Sequence, residues 1–224
     1  DKERLIFRSN EDWDEHDIRL VKGARIERID KNSDGSGTAV ATDGTRFAFT
    51  RLALAVGARA RRLEIPGADL PGIVYLRNAD DALALKASLD GVENAVVIGG
   101  GFIGLEAACS LQELGKTVTV IERGPRLVGR AVGEETSEYF LQAHRRRGME
   151  VLLDTGVEKF LGDDEGRVAG VVLDDGTQVP AQLVLIGIGV IPNTELAEQL
   201  GLQVDNGIVV DRHALASDGT TVAV

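Results

Sequence analysis

Apolar residues recur along the chain in two rhythms, and the points where one gives way to the other divide it into elements. Short alternating runs occupy residues 24–56, reading ARIERID, TAVATDG, TRFAFT and LALAV, with Asp34-Gly35 and Asp43-Gly44 at the turns. A period of two is that of a strand, and Asp-Gly supplies the positive-φ residue of a tight turn. The stretch therefore predicts a small β-meander followed by a buried strand. Gly57 ends it, and RARRLEIPG leads into a connection marked by Pro71-Gly72. From Asn78 to Leu89 the spacing of Ala79, Leu83 and Lys86 predicts an amphipathic helix, and we place a domain boundary just before it, near residue 76. Residues 1–20, with the acidic run EDWDEHDIRL, follow neither rhythm. Trp13 and His16 are read there as packing and surface residues, because no partner stands at metal-ligand spacing.

The densest apolar pattern runs from Ala95 to Glu122, AVVIGGGFIGLEAACSLQELGKTVTVIE, as strand, glycine turn, helix and second strand. Gly99, Gly101 and Gly104 satisfy G-x-G-x-x-G after a strand and at the start of a helix, the context that gives the pattern meaning. Gly99 permits the tight turn, Gly101 lets a pyrophosphate approach the backbone, and Gly104 lets helix and strand pack closely. The amides of Gly101, Phe102 and Ile103 would face the phosphates, because a helix N-terminus presents unpaired N–H groups and a partial positive charge. Glu122 ends the second strand eighteen residues past Gly104, where a carboxylate accepts hydrogen bonds from a ribose diol. That carboxylate would repel the 2′-phosphate of NADP, whereas Arg123, Arg126 and Arg130 offer it guanidinium partners. On balance Glu122 favours NADH over NADPH. The bland alternative, a glycine-rich turn with a solvated acid, leaves the order of strand, turn, helix, strand and acid unexplained.

Ala107, Ala108 and Cys109 are small enough to let the helix lie close to the sheet, and Cys109 reads as packing rather than as a nucleophile. His144 lies in a second helical stretch, Glu134 to Arg147, with no obvious acidic or thiol partner. Arg145, Arg146 and Arg147 close that helix at the end where cations are favoured.

Alternation then returns in VEKFLG, RVAGVVLDDGT and LVLIGIG, and it repeats the first series. Asp43-Gly44-Thr45 corresponds to Asp175-Gly176-Thr177, and thirteen residues after each of these glycines stands another, Gly57 and Gly189. Long-period repetition reads as duplication. The expected fold class is α/β: a Rossmann-like three-layer dinucleotide-binding domain, parallel sheet plus β-meander, with a partial second copy of the same fold. Gly99 precedes Asp175 by 76 residues, but only 42 precede Asp43, so a phosphate loop of the first copy would fall before Asp1. Either the chain is a fragment or the first copy has no such loop, and the repeat favours a fragment. The tail NGIVVDRHALASDGTTVAV holds two β-like segments, places His213 in an exposed turn and stops on an apolar strand.

Charge and cysteine count narrow the partners. A formal net charge of −11 with short basic runs argues against nucleic acid. One cysteine excludes an internal disulfide or a CxxC centre, and no apolar run reaches the roughly 18 residues of a membrane helix. The expectation is a soluble, cytoplasmic protein with no metal site and no membrane partner.

Taken together, the glycine fingerprint through Glu122, the run ERGPRLVGR, the stretch LALAVGARARRLEIPG, and LVLIGIGVIPNTELAEQLGL followed by NGIVVD resemble the middle of the FAD-dependent pyridine nucleotide-disulfide oxidoreductase superfamily. The resemblance covers nearly the whole chain and is strongest to ferredoxin and rubredoxin reductases. In such reductases an NAD domain is inserted into the FAD domain. The resemblance thus implies parts of an FAD domain at residues 1–76 and 206–224, and an NAD(P) domain at 77–205. It implies FAD contacts at Ile26 near the adenine and at Ala55, Gly57 and Arg61, although Val56 replaces the usual Thr before Gly57 and Ala60 the usual Pro before Arg61. For NAD it implies backbone contacts from Gly101, Phe102 and Ile103, ribose recognition by Glu122 helped by Arg123 and Arg130, and passage of Gly187, Ile188 and Gly189 close to the nicotinamide half. Glu106, one short turn into the helix, takes the position that approaches the flavin in similar reductases, and a helix N-terminus alone would also favour a carboxylate there.

The implied chemistry is hydride transfer from NADH to FAD, then electron delivery to a ferredoxin- or rubredoxin-type iron–sulfur protein. FAD retention and turnover would need the flanking sequence. Two alternatives share the same residues: an NAD(H)-binding redox-sensing flavoprotein module, and an NADH oxidase or disulfide reductase whose redox cysteine lies upstream.

Overall fold

The computed structural model describes residues 6–224. A short helix, α1 (Asn10–Glu15), forms where the sequence shows no period, because Ser9 and Asp12 build a reciprocal capping box that satisfies its first amides. The meander follows as β1 (Ile26–Lys31), β2 (Gly37–Ala41) and β3 (Arg46–Phe49), antiparallel in that order. Its turns place Gly35 and Gly44 at φ +91° and +84°, the conformation for which the Asp-Gly pairs were read. Then come β4 (Leu52–Leu54), β5 (Ala58–Ala60), β6 (Ile73–Tyr75) and α2 (Ala79–Ala87). No α2 residue is fully buried and Leu83 is 42% exposed; Leu85 is the side chain of this helix that packs on the core. A capping box between Asn78 and Asp81 satisfies its first amides.

The central stretch folds as β7 (Asn94–Ile98), α3 (Phe102–Glu113) and β8 (Thr117–Ile121), followed by α4 (Glu134–Arg146) and β9 (Glu150–Leu152). A second meander, β10 (Val157–Gly162), β11 (Val168–Leu173) and β12 (Gln178–Pro180), leads to β13 (Leu183–Ile186). The chain ends in β14 (Val190–Pro192), α5 (Glu195–Gln199) and β15 (Thr221–Ala223).

Two compact units result: residues up to Arg59 with Ile191–Val224, and Ala60–Val190. The breaks between these compact units fall at 60 and 191. The physical reason at the first break is β6, whose residues Ile73–Tyr75 pair in parallel with Val184–Ile186 and so belong to the sheet of the second unit. At the second break, Ala197 and Leu202 share a core with Ile29 and Leu54 of the first unit.

The second unit has three layers around a five-stranded parallel sheet of order β6-β13-β7-β8-β9. Alternate residues of its strands serve opposite faces. Val97, Val120, Leu183 and Leu185 pack on Leu105, Ala108 and Leu111 of α3 and Leu141 of α4. Val96, Ile98, Ile121, Val184 and Ile186 pack on Phe160, Val171 and Val179 of the meander. Burial on both faces explains why these strands read as near-continuous apolar runs.

The first unit pairs β4 in parallel with β15 and builds its core from Ile29, Leu54, Ala197, Leu202, Ala216 and Ala223. Only Leu54 of β4 is buried, so the LALAV run makes a half-buried strand.

Each unit repeats one turn almost atom for atom. Thr45 N–H donates to Asp43 Oδ1 at 2.9 Å and Thr177 N–H to Asp175 Oδ1 at 2.8 Å. The first strand of each meander also carries a bulge, between Ile26 and Arg28 in one and Val157 and Lys159 in the other.

Candidate functional site

Strand β7 ends at Ile98, and the chain turns through Gly99, whose φ is +107° and whose N–H donates to the Ile121 carbonyl at 2.8 Å. A Cβ at Gly99 would strike the carbonyl of Gly187, and one at Gly104 would strike the carbonyl of Gly99. Both glycines are thus required by backbone packed on backbone. Gly101 differs. It is the N-cap of α3, makes no side-chain cap, and nothing lies within 4 Å of where its Cβ would be. The first turn of α3 therefore leaves its amides without a side-chain partner and faces open space, the arrangement that receives an anion.

Gly187 stands at the end of β13, next to β7 in the sheet. Its N–H donates to the Ile98 carbonyl at 2.7 Å, and a Cβ on it would lie 3.7 Å from Gly104. The two glycine-bearing strand ends lie side by side at the carboxyl edge of the sheet, where ligands bind in doubly wound folds. Ile188 is half-buried, Gly189 is exposed at φ +100°, and the Gly189 carbonyl accepts from Arg61 N–H at 3.0 Å. Phe102 and Ile103 are half exposed at the start of α3, with Phe102 edge-on to Phe140 at 6.3 Å. Glu106 is exposed on the same helix.

Glu122 stands at the end of β8 as expected, but its carboxylate is engaged with backbone. Oε2 accepts from Gly100 N–H at 2.6 Å and Oε1 from Gly124 N–H at 2.7 Å. Each oxygen keeps further acceptor capacity, so a ribose hydroxyl can still be bound. Arg126 is committed differently from its sequence reading. Its guanidinium donates to the carbonyls of Val132 at 2.7 Å and Gly129 at 2.8 Å, which engages both terminal nitrogens with the backbone of the connector. Arg123 and Arg130 are exposed in the connector that follows Glu122.

The remaining sequence-derived positions divide between the units. Ile26, Ala55 and Gly57 lie in the first, and Arg61 lies in the second. Ile26 lines an apolar hollow of ≈ 370 Å³ with Ala39, Phe47, Phe49 and Leu52, all within the first unit. Gly57 is exposed at φ +64°.

His144 does have a thiol neighbour. Its Nδ1 lies 3.7 Å from Cys109 Sγ, and the Arg147 guanidinium approaches the same sulfur at 3.9 Å. Cys109 is correspondingly half-buried rather than wholly enclosed. Burial, then the nearby Arg147 charge, holds the imidazole below its ordinary pKa and so neutral. Thirty-five residues separate Cys109 from His144, and only the packing of α3 on α4 joins them.

Sequence reading also missed Gly100, Leu127 and Val128. The signal for Leu127 and Val128 was the turn-rich run GPRLVGR, and Gly100 lies inside the glycine triplet itself. Among the described residues no group of acidic, histidine or cysteine side chains is arranged to hold a metal, and no helix is long and apolar enough to cross a membrane.

Comparison with known proteins gives a consistent result. The family described as pyridine nucleotide-disulphide oxidoreductase matches residues 4–220. A rhodocoxin reductase of Rhodococcus erythropolis is 42% identical over 100% of this chain and 52% of its own length. A ferredoxin–NAD(P)(+) reductase of Sphingomonas sp is 40% identical over 93% of this chain and 50% of its own. Among solved structures, a ferredoxin reductase of Rhodopseudomonas palustris superposes with a TM-score of 0.92 at 37% identity, covering 100% of this chain and 54% of that one. A covalent putidaredoxin reductase–putidaredoxin complex gives 0.91 at 34% identity, again with 100% and 54% covered. The chain spans about half the length of the relatives it matches.

Proposed function

The chain belongs to the pyridine nucleotide-disulphide oxidoreductase family, and from that premise we propose that it is the nicotinamide-binding portion of an FAD-dependent reductase feeding electrons to a ferredoxin- or rubredoxin-type protein. The observation that carries the dinucleotide reading is the contrast within one glycine triplet: Gly99 and Gly104 are closed by backbone, while Gly101 opens on empty space at a helix start. A pyrophosphate fits there, and the unpaired amides of Gly101, Phe102 and Ile103 supply its hydrogen bonds. Glu122 takes the ribose, and its negative charge favours NADH over NADPH. Arg123 and Arg130 flank the adenosine end, while Gly187, Ile188 and Gly189 let the nicotinamide half lie against backbone.

We assign the second unit, Ala60–Val190, to NAD, and the first unit to part of the FAD site. Support for the latter comes from the repeated meander and from the apolar hollow beside Ile26, which suits a flat ring such as adenine. Ala55 and Gly57 complete that set, and Arg61 and Glu106 keep the flavin roles that the family resemblance implies for them. When bound, the cofactors supply hydride and single-electron chemistry; the residues of this chain bind, orient and exclude water. A small iron–sulfur acceptor is proposed because close relatives are named as reductases of such proteins.

The test is titration of the chain with NADH and NADPH, alongside turnover of the longer protein that contains it with an artificial acceptor. Saturable NADH binding, weaker NADPH binding and rapid flavin-mediated reduction are expected. Absence of NADH binding overturns the site, and NADH binding with negligible turnover overturns the reductase.

A further inference from the structure

We propose that the connector from Glu122 to Val132 is a clamp that presets the phosphate loop, with Arg126 as its positioning residue; the inference rests on the dinucleotide reading of that loop. Gly100, between the turn glycine and the open one, is gripped from three sides by this single segment. Its N–H donates to Glu122 Oε2 at 2.6 Å, and its carbonyl accepts from Val128 N–H at 2.8 Å. The fully buried Leu127 covers its Cα, since a Cβ at Gly100 would strike Leu127 Cδ2. The residue before Gly101 therefore cannot rotate without breaking these contacts, and Gly101 is the residue whose amide must face the ligand.

Reaching Gly100 obliges Val128 to adopt φ +52°, a conformation that β-branched residues avoid and that persists only where the surroundings over-determine it. Those surroundings are visible. Arg126 spans the far side of the connector, its two terminal nitrogens on the carbonyls of Val132 and Gly129 at 2.7 and 2.8 Å. Ser137 Oγ on α4 donates to the Leu127 carbonyl at 2.5 Å, and Ala131 and Val132 N–H both donate to the Val128 carbonyl, at 2.9 and 3.2 Å. Glu122 Oε1 fixes the near end through Gly124. A planar fork can hold two carbonyls at once, and a lysine ammonium on a flexible stem holds that geometry poorly. Arg126 thus acts through the backbone it braces, and the loop meets its ligand already ordered, with less entropy left to lose on binding.

The test compares Arg126→Met and Arg126→Lys with the unaltered chain, reading NADH and NADPH affinity by fluorescence titration and amide exchange in the peptide that contains Gly100 and Gly101. Arg126→Met is expected to raise the Kd for NADH about tenfold and to speed exchange in that peptide, with Arg126→Lys intermediate. Should Arg126→Met fail to fold, Arg126→Lys carries the same readouts. Arg145→Met serves as the control, because Arg145 also braces a carbonyl of the same unit, that of Val151 at 3.1 Å, away from the loop. It should move neither readout. Unchanged NADH affinity and unchanged exchange in folded Arg126→Met or Arg126→Lys overturn the clamp while leaving the site intact. Loss confined to NADPH makes Arg126 a 2′-phosphate ligand and likewise overturns it. An unaltered chain that does not bind NADH overturns the site reading and the clamp together.

Discussion

The two units carry the same meander, the same Asp-Gly-Thr turn and the same following strand, yet only the second pairs them with a glycine loop and a helix among the described residues. In the first, β4 lies in a two-stranded parallel sheet and buries one residue of three. In the second, β13 is the neighbour of β7 in a five-stranded sheet and buries all four of its residues. The meander is therefore scaffold, shared by both. On the proposed reading, NADH is recognised at the edge formed by Gly99 to Gly104, Glu122 and Gly187, and substitutions should separate scaffold from recognition.

The largest effect is expected from Gly101→Val. A Cβ there meets no protein atom within 4 Å, so stability should fall only by the cost of Val at an N-cap, about 1 kcal/mol, while NADH affinity falls about a hundredfold or more through occupation of the pyrophosphate space. Titration beside a thermal melt checks it; equal losses in both would mean that Gly101 is scaffold as well. Glu122→Ala should cost about tenfold in NADH affinity and narrow the preference over NADPH, since it removes a ribose acceptor, a repulsive charge and the partner of Gly100 together. A preference left unaltered would confine Glu122 to bracing the backbone.

Smaller changes probe the shared scaffold. Gly44 and Gly176 hold φ +84° and +86° with nothing near the missing Cβ, so Gly44→Ala and Gly176→Ala should each destabilise by about 1 kcal/mol without touching NADH affinity. Clearly unequal losses in denaturant melts would break the equivalence of the two turns.

The smallest effect is a difference in acid response. His144 in the second unit is held below the ordinary histidine value of 6.5 by burial and the Arg147 charge, so the unfolded chain takes up the proton first. Its contribution is complete above that pH and is lost as pH falls through 6.5 toward the lower folded value. In the first unit Asp218 is partly desolvated, which by itself raises a carboxyl pKa. The Lys31 ammonium at 2.8 Å and hydrogen bonds from Thr220 and Thr221 outweigh that desolvation and hold it well below the usual 3.8. Its contribution is complete above 3.8 and is lost only as pH falls further. Melts from pH 7 to 5 should thus soften the second unit before the first, and His144→Gln should abolish that early phase.

Much of this molecule was legible in the chain. Strand and helix positions from Ala95 to Glu122 followed from apolar period and glycine placement, because a doubly buried parallel strand and a close-packed helix leave few residue choices. The duplicated meander was legible too, since the corresponding turns of both copies carry Asp-Gly with the glycine at positive φ. Another feature was local but silent in the period: α1 is held by a cap at Ser9, with no buried apolar face.

What the sequence determined by itself was everything set by a short stretch of backbone: the fingerprint, the turns, the acid at the end of β8. Tertiary structure alone decided which unit β6 joins, because a parallel pairing of residues more than a hundred apart has no local signature. It also decided that His144 meets Cys109, and that Arg126 faces backbone carbonyls. A side chain's partner is chosen by how helices and connectors pack, and that packing is settled only when the whole core closes.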